Sequence, residues 1–180
     1  MEDKMENKHF RKDLQNTDPS GLNDLNENIL VGVFHHDTKG ILLVQRYSDR
    51  LQLPGGLIKK ENDSRKSFKQ SEKEKDEIQR FILEKTGFTL KVKNKFVAIN
   101  VENQPRSYIA FYLELIEVAG EQNWYRNKSF RYLFLKPEKI KTHPNIKEED
   151  RQIIFYYLMH EKAIKAKPYS PFAPIITIAL

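Results

Sequence analysis

Leu53-Pro54-Gly55-Gly56 opens, and Arg80-Phe81-Ile82-Leu83-Glu84-Lys85-Thr86-Gly87-Phe88 closes, the stretch on which the fold of this chain turns. Between them, Ser64 to Lys85 contains no Pro or Gly and is rich in Lys, Glu and Gln, which predicts a helix. Its apolar residues gather near the end, at Ile78, Phe81, Ile82 and Leu83. Arg65 to Asp76 offers Phe68 alone, so the first half is expected to face solvent. Gly87 stands where a helix C-terminus favours glycine, because glycine adopts positive φ without a Cβ penalty.

Working outward, Ile29 to Phe34 is a short apolar run typical of a buried strand. His35-His36-Asp37-Thr38-Lys39-Gly40 reads as a polar surface turn, and Ile41 to Arg46 as a second strand, together a hairpin. Downstream, Leu90 to Ile99 and Ser107 to Val118 read as strands joined by a loop at Asn103-Gln104-Pro105-Arg106. Alternation puts Tyr108, Ala110 and Tyr112 on one face of the second, and Ile109, Phe111, Leu113 and Leu115 on the other. Phe130 to Leu135 is a further strand, ended by Pro137. Lys147 to Ala166 is an amphipathic helix whose apolar stripe is Ile153, Ile154, Tyr157, Leu158 and Ile164.

This order of elements implies an α/β/α sandwich around a mixed β-sheet. The expected organisation is a polar N-terminal arm over residues 1–28, one domain over 29–166, and an apolar tail over 167–180. The tail is expected to dock on its own core, with a strand offered to a partner as the alternative.

Composition narrows the chemistry. Among 180 residues there is no cysteine, which excludes disulfides, thiol catalysis and Cys-ligated metal sites. No apolar run reaches roughly 18 residues, so no membrane span is expected. The polar N-terminus has no signal-peptide core, and the expected location is cytoplasmic. A net charge of +6 favours anionic partners such as nucleotides or RNA.

The Leu53–Phe88 stretch resembles the signature of the Nudix hydrolases, which split diphosphates linked to a nucleoside. The strand Gly40-Ile41-Leu42-Leu43-Val44-Gln45-Arg46 just upstream is similar to that family's layout as well. The family pattern is Gly, five residues, Glu, seven residues, then Arg-Glu-hydrophobic-any-Glu-Glu-any-Gly-hydrophobic. The resemblance implies a Nudix-like fold over residues 29–166, a nucleotide-like small-molecule ligand, and Mg²⁺ or Mn²⁺ if the site is active.

It also implies roles. Gly55 and Gly56 match the paired glycines, whose backbone shapes the loop and can lend a carbonyl to metal. Arg80 matches the arginine that orients a ligand carboxylate, and Glu84 matches one of the three clustered metal glutamates. The departures are chemical: Phe81 and Lys85 replace the other two, and Asn62 replaces the first glutamate. The span from Gly56 to Arg80 is about ten residues longer than the pattern.

Divalent metal ions serve diphosphate hydrolysis by neutralising phosphate oxygens and acidifying a bound water. One carboxylate cannot compensate a pair of Mg²⁺ ions. Lys85 adds repulsion, roughly 4 kcal/mol for two unit charges at about 4 Å and an effective dielectric near 20. Hydrolysis is therefore expected to be weakened or lost. The alternative is an active enzyme with relocated carboxylates. Glu77 lies two helical turns before Glu84 and on the same side, and Glu61 and Asp63 could fold back from the loop.

In the first reading Lys85, Arg80, Lys59 and Lys60, with Gly55 and Gly56, hold phosphate directly. Arginine grips phosphate bidentately, and lysine acts as a point charge. A third reading is an interaction module that docks RNA or protein through its basic surface or C-terminal tail. Glu148-Glu149-Asp150 reads as an acidic first helical turn, favoured by the helix dipole, with a late-supplied metal ligand as the alternative. Trp124, Tyr125, Tyr108 and Phe130 are expected to pack in the core or at its rim rather than stack on a base.

Overall fold

A computed structural model describes residues 27–47, 49–59, 67–115, 129–168 and 173–179. Almost all of the expected N-terminal arm, Lys60 to Asp63, and Trp124 and Tyr125 lie outside the described residues. In chain order the elements are β1 (Glu27–Val33), β2 (His35–His36), β3 (Gly40–Arg46), β4 (Gly55–Lys59), α1 (Ser67–Thr86), β5 (Leu90–Val101), β6 (Ser107–Leu115), β7 (Phe130–Leu135), α2 (Pro137–Thr142), α3 (Glu148–Ala166) and β8 (Ile175–Ile178).

Alternation along β6 builds two cores. Tyr108, Ala110 and Tyr112 join Ile153, Ile154, Tyr157 and Ile164 of α3 on one face. Ile109, Phe111 and Leu113 join Ile78 and Ile82 of α1 on the other. The sheet between them runs β4-β1-β6-β5-β8. It is mixed, because β1 pairs parallel with β6 and antiparallel with β4. The α/β/α sandwich expected from the element order is therefore the observed architecture.

A second sheet, β2-β3-β7, closes one end. Residues Ile41 to Val44 of β3 are all fully buried. Ile41 and Leu43 face the α3 core, and Leu42 faces the α1 core. The expected hairpin is correspondingly shorter than its sequence suggests. β1 lies in the large sheet, and His35 and His36 pair back on β3, with the Leu42 N–H donating to the Phe34 carbonyl at 3.0 Å. His35 is a half-buried anchor rather than a surface turn. Its Nδ1 lies 3.0 Å from Glu161 Oε1, and its ring packs edge-on against Tyr157.

The first half of α1 also departs from expectation. Ser71 and Glu74 are buried on the same face as Ile78 and Ile82. Glu74 is tolerated there because Lys95 of β5 reaches it at 2.6 Å, so the charge is paired where water is excluded. The C-terminal segment supplies β8, which pairs parallel with β5 from Ala98↔Ile175 to Val101↔Ile178. No helix among the described residues is long and apolar enough to cross a membrane.

Pro137, expected only to stop β7, also starts α2, where its missing N–H costs nothing. The free carbonyls at the end of α2 are satisfied by Arg151. Its guanidinium donates to the carbonyls of Ile140 (2.5 Å), Lys141 (3.0 Å) and His143 (2.8 Å). Arg151→Ala is expected to cost about 2 kcal/mol, because several carbonyls lose their donor at once. Urea unfolding at neutral pH measures it.

Candidate functional site

The site is assembled where three segments meet. Gly55 begins β4 opposite Val31 of β1. A Cβ there would stand 2.0 Å from the Leu30 carbonyl oxygen, so only glycine fits. The chain just before it is clamped from α3's side. The Leu51 N–H donates to the Asn145 carbonyl at 2.7 Å, and the Lys147 N–H donates to the Leu51 carbonyl at 3.0 Å. The last turn of α1 comes from the third direction, ended by Gly87 at φ 76°.

Lys85 projects from that last turn and donates its ammonium to the Gly55 carbonyl. Its Nζ lies 5.1 Å from the Phe130 ring centre and 5.8 Å from that of Phe81. Burial pushes its pKa down; Glu84 pulls it back, and Lys147 and Arg46 press it down further. The Phe81 ring packs on the Gly56 backbone so closely that a Cβ at Gly56 would meet ring atoms at 2.7 Å.

Arg80 brings Glu77 and Glu84 together, but as its own partners. Nη2 reaches Glu77 Oε2 at 2.5 Å and Nη1 reaches Glu84 Oε1 at 2.8 Å, both on the exposed side of α1. Bonding to Glu77, then Glu84, raises the Arg80 pKa. Arg80 also lies over the Phe81 ring at 4.7 Å. Lys59 ends β4 and pairs with Glu27, four residues from Gly55 and so roughly 13 Å away along the strand. Glu61 and Lys60 lie outside the described residues.

These donors do not fit a divalent cation. The Gly55 carbonyl holds an ammonium, Phe81 presents a ring, and both Glu77 and Glu84 are engaged by one guanidinium. Among the described residues, no three His, Asp or Glu side chains gather to hold a metal ion.

Asp150, read from sequence as part of an acidic first helical turn with a late-supplied metal ligand as the alternative, lies against this segment instead. It is 2% exposed, and its Oδ2 accepts the Leu53 N–H at 3.1 Å. Its Oδ1 has no hydrogen-bond partner among the described residues. Burial pushes its pKa up to about 7, against the pull of the Leu53 N–H and Lys147. The signal was available: Asp150 precedes Ile153 and Ile154 by three and four residues, which puts it on the buried stripe. Arg46 and Lys147 were also missed. Arg46 sits directly opposite Phe130 in the β3–β7 register, and its guanidinium lies 5.9 Å from that ring.

A hollow of about 400 Å³ elsewhere, between β5 and the end of α3, is lined by Phe96, Tyr156, His160 and Lys167 among others. No described residue of the Leu53–Phe88 stretch lines it. Tyr108 packs in the α3 core, as its pattern predicts.

No protein-family model matches the chain, and no curated protein matches its sequence. Solved structures do match. An ADP-ribose pyrophosphatase from Streptococcus suis superposes with a TM-score of 0.56 at 16% identity, covering 84% of this chain and 99% of that one. A Nudix hydrolase from Nitrosomonas europaea gives 0.53 at 13% identity, over 85% and 80%. This chain has the Nudix hydrolase fold. A MutT protein from Methanosarcina mazei agrees, with a TM-score of 0.52 at 18% identity over 75% and 94%. In that Nudix frame the Gly55–Gly56 start of β4 and the end of α1 are adjacent, while the side chains between them are a lysine and a phenylalanine.

Proposed function

We propose that this Nudix-fold chain binds a nucleoside diphosphate-linked ligand at the Gly55–Lys85 site, with metal-dependent pyrophosphohydrolase activity weakened or lost. The carrying observation is the Lys85 ammonium on the Gly55 carbonyl. A metal ion in such chemistry neutralises phosphate oxygens and acidifies water. A tethered ammonium does the first and not the second: it offers charge and donors, but no coordination site for water. The site is thereby suited to holding a diphosphate rather than splitting it. The ADP-ribose pyrophosphatase and UDP-X diphosphatase among the structural neighbours motivate the ligand class.

Isothermal titration with ADP-ribose, nucleoside triphosphates and dinucleoside polyphosphates, in Mg²⁺ and in EDTA, tests this. The expected result is binding of at least one of them with the same affinity in both buffers. Lys85→Met should weaken it at least ~10-fold, equivalent to about 1.4 kcal/mol. No binding in either buffer would overturn the proposal. So would Mg²⁺-dependent turnover abolished by Glu84→Gln, which would instead establish an enzyme with relocated carboxylates.

A further inference from the structure

We infer that Arg46 and Lys85, which flank the Phe130 ring, form with Lys147 a metal-free site for a diphosphate group. The inference rests on the binding reading above and names the residues that replace the metal's charge.

Three cations arrive from three separate elements: the end of β3, the last turn of α1, and the residue before α3. Lys85 Nζ and the Arg46 guanidinium lie 5.1 Å and 5.9 Å from the same ring centre, which bounds their separation at the sum of the two, about 11 Å. The Lys147 backbone is fixed beside this strand by its N–H on the Leu51 carbonyl, four residues before Gly55. It is close enough, like Arg46, to oppose the charge on Lys85.

Like charges do not gather at a half-buried point without compensation. Among the described residues, neither Arg46, Lys85 nor Lys147 has a carboxylate within ion-pairing distance. Glu84, the nearest acid in sequence, is turned to Arg80. Asp150, buried beside the cluster, gives one oxygen to the Leu53 N–H; burial pushes its pKa up to about 7 while Lys147 and Lys85 draw it back, so it offsets their charge only in part at neutral pH. An anion with several oxygens completes this arrangement. Arginine supplies a planar fork, and the two lysines supply point charges, a combination suited to phosphate. A diphosphate fits better than a single phosphate, because it brings more anionic oxygens to share among cations carried by three separate elements.

Inorganic pyrophosphate in EDTA is the direct probe, titrated against the wild type, Arg46→Gln, Lys147→Gln and the exposed α3 control Lys162→Gln. Far-ultraviolet circular dichroism and thermal melting check that each variant is folded. Arg46→Gln and Lys147→Gln are each expected to weaken binding at least ~10-fold, the control to leave it unchanged, and inorganic phosphate to bind more weakly than pyrophosphate. If Lys85→Met loses binding while Arg46→Gln and Lys147→Gln bind like the wild type, the three-cation site is wrong and the binding reading stands. If the wild type binds neither pyrophosphate nor any nucleotide of the panel, the binding reading falls and takes this inference with it.

Discussion

Gly55→Ala is expected to lower stability by at least about 4 kcal/mol, at the far end of what single substitutions do. The added Cβ would stand 2.0 Å from the Leu30 carbonyl oxygen and 2.9 Å from the Leu30 carbonyl carbon and the Val31 Cα, all backbone of the paired strand β1. No rotamer change relieves such a contact, so β4 must separate from β1 at its first residue. Gly56→Ala is the informative contrast. Its obstacle is the Phe81 ring at 2.7 Å, a side chain that can turn. It should therefore cost less, and Phe81→Leu in the same chain should recover part of the loss. Urea denaturation of the three variants measures the order. A Gly55→Ala protein within about 1 kcal/mol of wild type would mean the turn is placed wrongly.

Asp150 is expected to make stability fall as pH rises through the neutral range. Its folded pKa is pushed up to about 7, chiefly by burial, from an ordinary carboxylate value near 4. The folded state then holds this proton more tightly than the unfolded state. The group's burial carries no ionisation penalty below about pH 4, a growing one between 4 and 7, and a constant one above 7. Three pKa units correspond to roughly 4 kcal/mol over the whole window, and about 2–3 kcal/mol between pH 5 and 8. Lys147 and Lys85 pull in the opposite direction, and Glu149 adds to the rise. Asp150→Asn keeps an acceptor for the Leu53 N–H but cannot ionise. Urea unfolding from pH 4.5 to 8 should show a flatter profile for Asp150→Asn, and a relative gain over wild type that grows with pH. Parallel profiles for the two proteins would show that Asp150 does not titrate in this window.

The two cores illustrate what could be read without coordinates. Tyr108, Ala110 and Tyr112 must face away from Ile109, Phe111 and Leu113, because side chains alternate along a strand. Those two groups are the ones that meet α3 and α1. The helix stop at Gly87 was legible for an equally local reason, its positive φ. Glu74 and His35 were misread because their burial depends on partners far away in sequence. Lys95 neutralises Glu74, and Glu161 and Tyr157 hold His35. Neither partner lies within reach of a local pattern.

The candidate site divides along the same line. Sequence by itself determined the frame: Leu-Pro-Gly-Gly, a helix ending at Gly87, and the substitution of carboxylates by Phe81 and Lys85. Those are properties of residue type and local spacing, and they carry the Nudix fold. Only the tertiary structure decided where the charges go. It brings the Lys85 ammonium onto the Gly55 carbonyl, binds Glu77 and Glu84 to Arg80, and gathers Arg46, Lys147 and Asp150 from distant elements. The physical reason is that electrostatic interaction depends on distance through space and on exclusion of water, and neither is set until β3, α1 and α3 pack around the same turn.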